Sequence, residues 1–189
     1  MNLVILGAPG AGKGTQAGRL AERFDLRHIS SGELLRDEVA RGTPAGKEVE
    51  TVLKEGKLVP DRTVLEVISA ALADRERAER GGWILDGYPR TADQAEALED
   101  VISTNRETVE AVIFLEVDSD VLASRLSKRG RADDTPEAVL KRLEVYNEEI
   151  KQLLDFYELR YDMHRVDGSK PIDDVTADIV GLVDAYDLS

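Results

Sequence analysis

The chain is expected to fold as an α/β protein: a doubly wound five-stranded parallel sheet with helices on both faces. Apolar, β-forming stretches alternate with segments of helical periodicity from one end of the 189 residues to the other. The stretch 109–117 (VEAVIFLEV) is apolar almost throughout, which suits a strand buried on both faces and so a parallel sheet. No internal repeat or low-complexity linker interrupts the alternation.

Each element has its own signal. Residues 3–6 are a short apolar strand, and 16–24 a helix beyond a glycine-rich turn. A second strand at 27–30 meets a break at Ser31 or Gly32, followed by a helix over 33–41. Gly42, Thr43 and Pro44 separate that helix from 45–55, where Val49, Val52 and Leu53 recur at helical spacing. Two short polar helices in succession make a poor core, so they read as an excursion from the main sheet. Residues 56–60 return the chain, Asp61 caps, and Val64, Leu65, Ile68 and Leu72 mark an amphipathic helix. The charge run 75–80 reads as a solvated helix end.

A third strand over 82–86 closes on the carboxylate of Asp86, and 87–90 make a turn. Thr91 caps the next helix, with Gln94 in the capping-box position. After the strand 109–117, Ser119 or Asp120 opens a helix carrying Val121, Leu122, Arg125 and Leu126, which stops near Gly130. A long helix over 136–160 has its stripe at Val139, Leu143, Tyr146, Ile150, Leu153 and Tyr157. A fifth strand at 161–166 and a helix at 172–185 close the chain. The glycine-rich turn, Ser31, Asp86 and Gly168 then all fall at carboxyl ends of strands, where ligands gather in such folds.

Bulk properties narrow the function. The length suits one domain with small insertions. Lys and Arg number 25 against 38 Asp and Glu, a net charge of -13, which disfavours nucleic acid and anionic membranes as partners. There is no cysteine, and the two histidines, His28 and His164, lie far apart, so zinc ligation is not expected. No apolar run reaches the roughly 18 residues of a membrane span, and residues 1–6 lack the marks of a secretory signal. A cytoplasmic location is expected.

The turn itself points to chemistry. Gly7-Ala8-Pro9-Gly10-Ala11-Gly12-Lys13-Gly14-Thr15 stands between strand and helix, the context a phosphate-cradling loop requires. Glycine leaves backbone N–H groups free to converge on phosphate oxygens, the helix N-terminus adds partial positive charge, and Lys13 supplies a cation. Gly14 takes the position after the lysine where a hydroxyl is usual, and the hydroxyl arrives one residue later at Thr15. The motif implies a nucleoside triphosphate without naming the reaction.

Three further motifs follow: Ser31-Gly32-Glu33-Leu34-Leu35-Arg36; Leu85-Asp86-Gly87-Tyr88-Pro89-Arg90 with Gln94; and Arg129-Gly130-Arg131-Ala132-Asp133-Asp134 followed by Arg142. With residues 7–16 they resemble, in order and rough spacing, the adenylate kinases. The likeness runs from residue 2 to about residue 180 and implies the P-loop fold and ATP:AMP phosphotransferase activity, giving two ADP.

By that resemblance Gly10, Ala11, Gly12, Lys13, Gly14 and Thr15 hold the phosphates of ATP, with Arg129 and Gly168 on the same nucleotide. Ser31, Arg36, Lys57, Leu58, Val59, Gly87, Tyr88, Pro89, Arg90 and Gln94 form the AMP pocket, joined by Arg131 and Arg142 at the phosphates. Lys13, Arg90, Arg129, Arg131 and Arg142 are the implied catalytic group, since phosphoryl transfer spreads negative charge that fixed cations must meet. Asp133 and Asp134 orient guanidiniums. Thr15 and Asp86 would hold Mg²⁺ with ATP, through water.

A single residue separates Arg129 from Arg131, as in the short-lid form of the family, which lacks zinc and is usually monomeric. The implied organisation is one domain, with a core at 1–29, 60–128 and 137–189, an acceptor-binding insertion at 30–59 and a short lid at 129–136. Two other readings stand beside it. A pyrimidine monophosphate (UMP/CMP) kinase shares the fold but usually carries alanine and asparagine where this chain has Ser31 and Gln94. A nucleotide-dependent switch would need a guanine-reading Asn-Lys-x-Asp, and none of Asn2, Asn105 or Asn147 precedes a lysine.

Overall fold

The computed structural model describes residues 1–54, 59–74, 81–129 and 135–187. Five parallel strands, β1 (Asn2–Gly7), β2 (Arg27–Ser30), β3 (Trp83–Asp86), β4 (Ala111–Glu116) and β5 (Met163–Asp167), lie in the order β2-β3-β1-β4-β5. The strand bearing the glycine-rich turn is therefore central, its Val4 level with Leu85 on one side and Val112 on the other. Reversal of winding on either side of β1 opens a crevice at the strands' carboxyl ends.

Eight helices complete the described chain: α1 (Lys13–Arg23), α2 (Ser31–Arg41), α3 (Pro44–Lys54), α4 (Asp61–Ala73), α5 (Ala92–Thr104), α6 (Ser119–Arg129), α7 (Pro136–Arg160) and α8 (Ile172–Asp187). Period-2 alternation sends successive strand residues to opposite faces, and here both faces are apolar. Val4, Leu6, Leu85, Val112 and Phe114 join a core with α4, α5 and α7. Leu3, Ile5, Ile84, Ile113 and Leu115 join a second core with α1 and α8. The sheet is thus a wall between two separately packed halves.

Several boundaries shift from those the sequence suggested. α1 starts at Lys13, within the turn, because Gly12 in a left-handed conformation already caps it. Ser31 is the first residue of α2 and not a break before it. β4 begins at Ala111, and β5 covers 163–167 and not 161–166. Asp61 is the first residue of α4, whose cap is Pro60 with no side-chain bond, so the capping role assigned to Asp61 is incorrect. The run 75–80, with Lys57, Leu58 and residues 130–134, lies outside the described residues.

Candidate active site

The glycine-rich turn leaves β1 at Gly7 and re-enters regular structure at Lys13. Gly12 stands at φ 100°, a conformation side chains disfavour, and this turns the first N–H groups of α1 toward the crevice. The first turn of α1 carries no carboxylate, whereas those of α4, α5, α6, α7 and α8 each do. The positive end of the α1 dipole is thereby left for an outside anion. Lys13 Nζ donates to the carbonyls of Gly7 at 2.8 Å and Ala8 at 3.0 Å, so the ammonium lies across the mouth of the loop. Thr15 is exposed in the same helical turn.

Gly14 has a steric explanation. A Cβ there would stand 3.3 Å from Asp86 Oδ2, tight against a buried carboxylate at the end of β3. Asp86 accepts from Ser30 Oγ at 3.3 Å, and His28 Nε2 lies 3.7 Å from its Oδ2, beyond hydrogen-bond reach. Burial works against the charged carboxylate, but His28, the Lys13 ammonium and Ser30 together outweigh it, and Asp86 titrates below its ordinary value. An ionised carboxylate is thus held directly beneath the phosphate loop.

On the β2 side, Ser31 is buried and its Oγ has no hydrogen-bond partner among the described residues. It faces Gly87, where φ is +78° and a Cβ would come within 2.7 Å of that hydroxyl. Arg36, exposed one turn along α2, lies over Gly32, its Nη1 3.2 Å from where a Cβ would be. Val59 packs against the core behind. Tyr88 and Pro89 are buried, and the Tyr88 hydroxyl donates to the Gln94 carbonyl at 3.1 Å.

Half of the capping box expected at α5 forms. The N–H of Gln94 donates to Thr91 Oγ1 at 3.2 Å, but the Gln94 side chain does not reach back to Thr91. Its Oε1 accepts from the N–H of Arg90 at 2.8 Å, and its Nε2 donates to Asp61 Oδ1 at 2.6 Å. The oxygen that a capping box would offer to the N–H of Thr91 is thus taken by the N–H of Arg90, while the carboxylate at the start of α4 holds the other end of the amide through a charge-assisted bond.

Arg90 is exposed, and its Nε donates to the Gly87 carbonyl at 2.8 Å. Although the residue as a whole is exposed, crowding by protein around the guanidinium and then the nearby charge of Arg142 lower its pKa, with Asp86 opposing them. Arg142, half-buried on α7, is therefore within electrostatic reach of Arg90. Arg129 ends α6 with its side chain outside the described residues, as is all of Arg131. Gly168 is buried, donates its N–H to the Glu116 carbonyl at 2.7 Å, and sits against Val117. Beside it a groove of about 580 Å³, lined by Ala8, Glu116, Asp118, Tyr146 and Ser169 among others, runs to the phosphate loop.

The ends of β1 and β3 therefore deliver an anion cradle, a charged carboxylate and Arg90 to one crevice, with Arg142 of α7 within electrostatic reach. Comparison with known proteins agrees with that arrangement. The family model for adenylate kinase matches residues 5–161. The chain belongs to the adenylate kinase family. An adenylate kinase of Stenotrophomonas maltophilia (strain K279a) is 43% identical over 189 residues, covering 98% of this chain and 100% of that protein. One from Synechococcus sp. (strain WH7803) is 45% identical over 92% of this chain and 93% of its own, and one from Methylorubrum populi 39% over 98% and 97%.

Membership of the adenylate kinase family makes the chain a phosphotransferase. Two residues that the sequence did not bring forward now join its site. Arg125 Nη1 donates to the Ala11 carbonyl at 3.2 Å, tying α6 to the phosphate loop. Its position four residues before Arg129, on the same helical face, was the available signal. Asp61, read as a cap, instead holds Gln94. Among the described residues no group of three or more His, Asp or Glu is placed to hold a metal, and no helix is long and apolar enough to cross a membrane.

Proposed function

We infer that this chain moves the terminal phosphoryl group of ATP to AMP, giving two ADP, reversibly, and so balances adenine nucleotides. The observation that carries the reading is the meeting of Lys13, Asp86, Arg90 and Arg142 around the phosphate loop. A phosphoryl group in flight spreads charge over its equatorial oxygens, and catalysis consists mainly of fixing cations and dipoles where that charge develops. Loop N–H groups and Lys13 suit the donor's phosphates, Arg36 and Arg90 can fork onto the acceptor's phosphate, and Arg142 suits the oxygens between them. Arg129 and Arg131 belong to the same set by their place in the motif.

No protein base is required. The acceptor phosphate has its second pKa near ~6, so at neutral pH its attacking oxygen already carries the lone pair. Ser31, Gly87 and Gln94 suit the nucleoside of AMP, with Val59 and, by their place in the motif alone, Lys57 and Leu58 assigned to the same pocket, and Gly168 suits the donor nucleotide. The reading takes 30–59 as the acceptor-binding insertion and 129–136 as a short lid, closing to exclude water that would otherwise hydrolyse ATP.

Mg²⁺ accompanies ATP in this reading. Asp86 fits it: a carboxylate kept ionised below the loop suits a hard cation held through water, with the Thr15 hydroxyl nearby in the chain. The ion would neutralise phosphate charge. A chain without cysteine offers no thiolate site for zinc. The chain is taken to act as a cytoplasmic monomer on small molecules alone, without nucleic acid or membrane.

The test is ADP formation from ATP with AMP, UMP, CMP or GMP as acceptor, without any added protein. AMP should be preferred by a wide margin. A pyrimidine preference would move the chain to the pyrimidine kinases, and stoichiometric binding without turnover would favour a switch.

A further inference from the structure

The amide of Gln94 is held at both ends. Its Oε1 accepts from the N–H of Arg90 at 2.8 Å, and its Nε2 donates to Asp61 Oδ1 at 2.6 Å. A backbone N–H can only donate and an ionised carboxylate can only accept, so the two partners dictate the order of the amide. Rotating it by half a turn would set N–H against N–H and oxygen against carboxylate. Gln94 is itself buried, at 8% exposure, and its backbone is fixed by Thr91 Oγ1 below and the Tyr88 hydroxyl above.

What remains of the amide is one N–H and one lone pair, in a fixed order. Adenine and guanine differ in this respect: the exocyclic group is a donor in one and an acceptor in the other, and the adjacent ring nitrogen is reversed to match. A freely turning glutamine could satisfy either base. A locked one can satisfy only one of them at a given placement.

We propose that Asp61, which belongs to no phosphate- or base-contacting motif, is a positioning residue that fixes the Gln94 amide and so makes the acceptor pocket select adenine over guanine. The inference rests on the reading of Gln94 as the residue that meets the acceptor base. Asp61 stands at the start of α4 and Gln94 in the first turn of α5, so base selection is set between two helices packed on the same face of the sheet. Since the bond is charge-assisted, its loss should be felt in binding.

The experiment compares wild type with Asp61→Ala, Asp61→Asn and Gln94→Ala, measuring kcat and KM for ATP, AMP and GMP and equilibrium binding of AMP and GMP. For Asp61→Ala the AMP-to-GMP ratio should fall about tenfold, mostly through KM for AMP, with KM for ATP moved by less than about twofold. Asp61→Asn should recover most of the ratio, because its side-chain carbonyl can accept the same bond. A merely structural role would raise both substrates' KM together and leave the ratio level, and that result overturns the proposal. If Gln94→Ala also leaves the ratio level, the reading of Gln94 fails and the inference with it. If Gln94→Ala collapses the ratio and Asp61→Ala does not, only the inference about Asp61 fails. Should Asp61→Ala not fold, Asp61→Ser is too short to reach Gln94 and is judged by the same ratio.

Discussion

The ammonium of Lys13 donates to the carbonyl of Gly7 at 2.8 Å, six residues back along its own loop. The side chain thereby spans the mouth of the anion cradle, and an arriving phosphate offers it a charged acceptor in place of neutral carbonyls. Replacing Lys13 by alanine should lower kcat by about 10² to 10³, the usual cost of removing one preorganised donor. The melting temperature should change little, since the lysine is only half-buried. Near-normal turnover in Lys13→Ala would refute the role.

Ser31 should show opposite signs for stability and binding. Its buried hydroxyl has no partner among the described residues, and an unsatisfied buried polar group costs about 1 to 3 kcal/mol. Ser31→Ala should therefore leave the melting temperature level or raise it, while KM for AMP rises about tenfold. A fall in melting temperature without a rise in KM would contradict both halves.

Gly87 faces the same hydroxyl with φ at +78° and room for no Cβ. Gly87→Ala combines an unfavourable backbone with a contact at 2.7 Å against Ser31 Oγ. Destabilisation by about 1 to 3 kcal/mol is expected in denaturant titration, with weakened AMP binding. Equal stability of variant and wild type would show that the turn relaxes freely.

All five tyrosines hold their protons more tightly than a free phenol. Burial first, then nearby carboxylates, pushes Tyr88, Tyr146 and Tyr186 up to about 12, and Tyr157 and Tyr161 upward as well. Folding thus favours the neutral phenol, and its contribution is complete below the unfolded value of about 10 and lost as pH rises beyond it. Tyrosinate absorbance should therefore stay flat to about pH 10 and then rise together with loss of helical circular dichroism. A smooth titration centred near 10 in a folded protein would show the phenols to be free.

The architecture was legible because strand, glycine-rich turn and helix at 2–23 have distinct local signatures, and β4 is apolar at almost every position. Ser31, Asp86, Gln94 and Arg90 were legible through their motifs. Asp61 was not: an aspartate opening a helix looks like a cap, and only tertiary packing shows a partner on another helix 33 residues on. Arg125 was hidden for a related reason, since an arginine on an amphipathic helix looks solvated until its carbonyl partner comes into view. Gln94 was placed correctly as to helix turn and incorrectly as to partner, because local spacing cannot show that the neighbouring N–H of Arg90 takes its oxygen while a distant carboxylate holds its NH2 group.

The wall formed by the sheet has a practical corollary for altering this protein. Val4 and Leu3 are neighbours in sequence yet press on different sets of helices, the first on those carrying Asp61, Gln94 and Arg142, the second on the helix that opens with Lys13. α7 touches both sides, since its Tyr146 packs on the second core and lines the groove that reaches the phosphate loop. A library aimed at new acceptors therefore belongs on α4 and α5, where repacking leaves the support of the helix that opens with Lys13 in place.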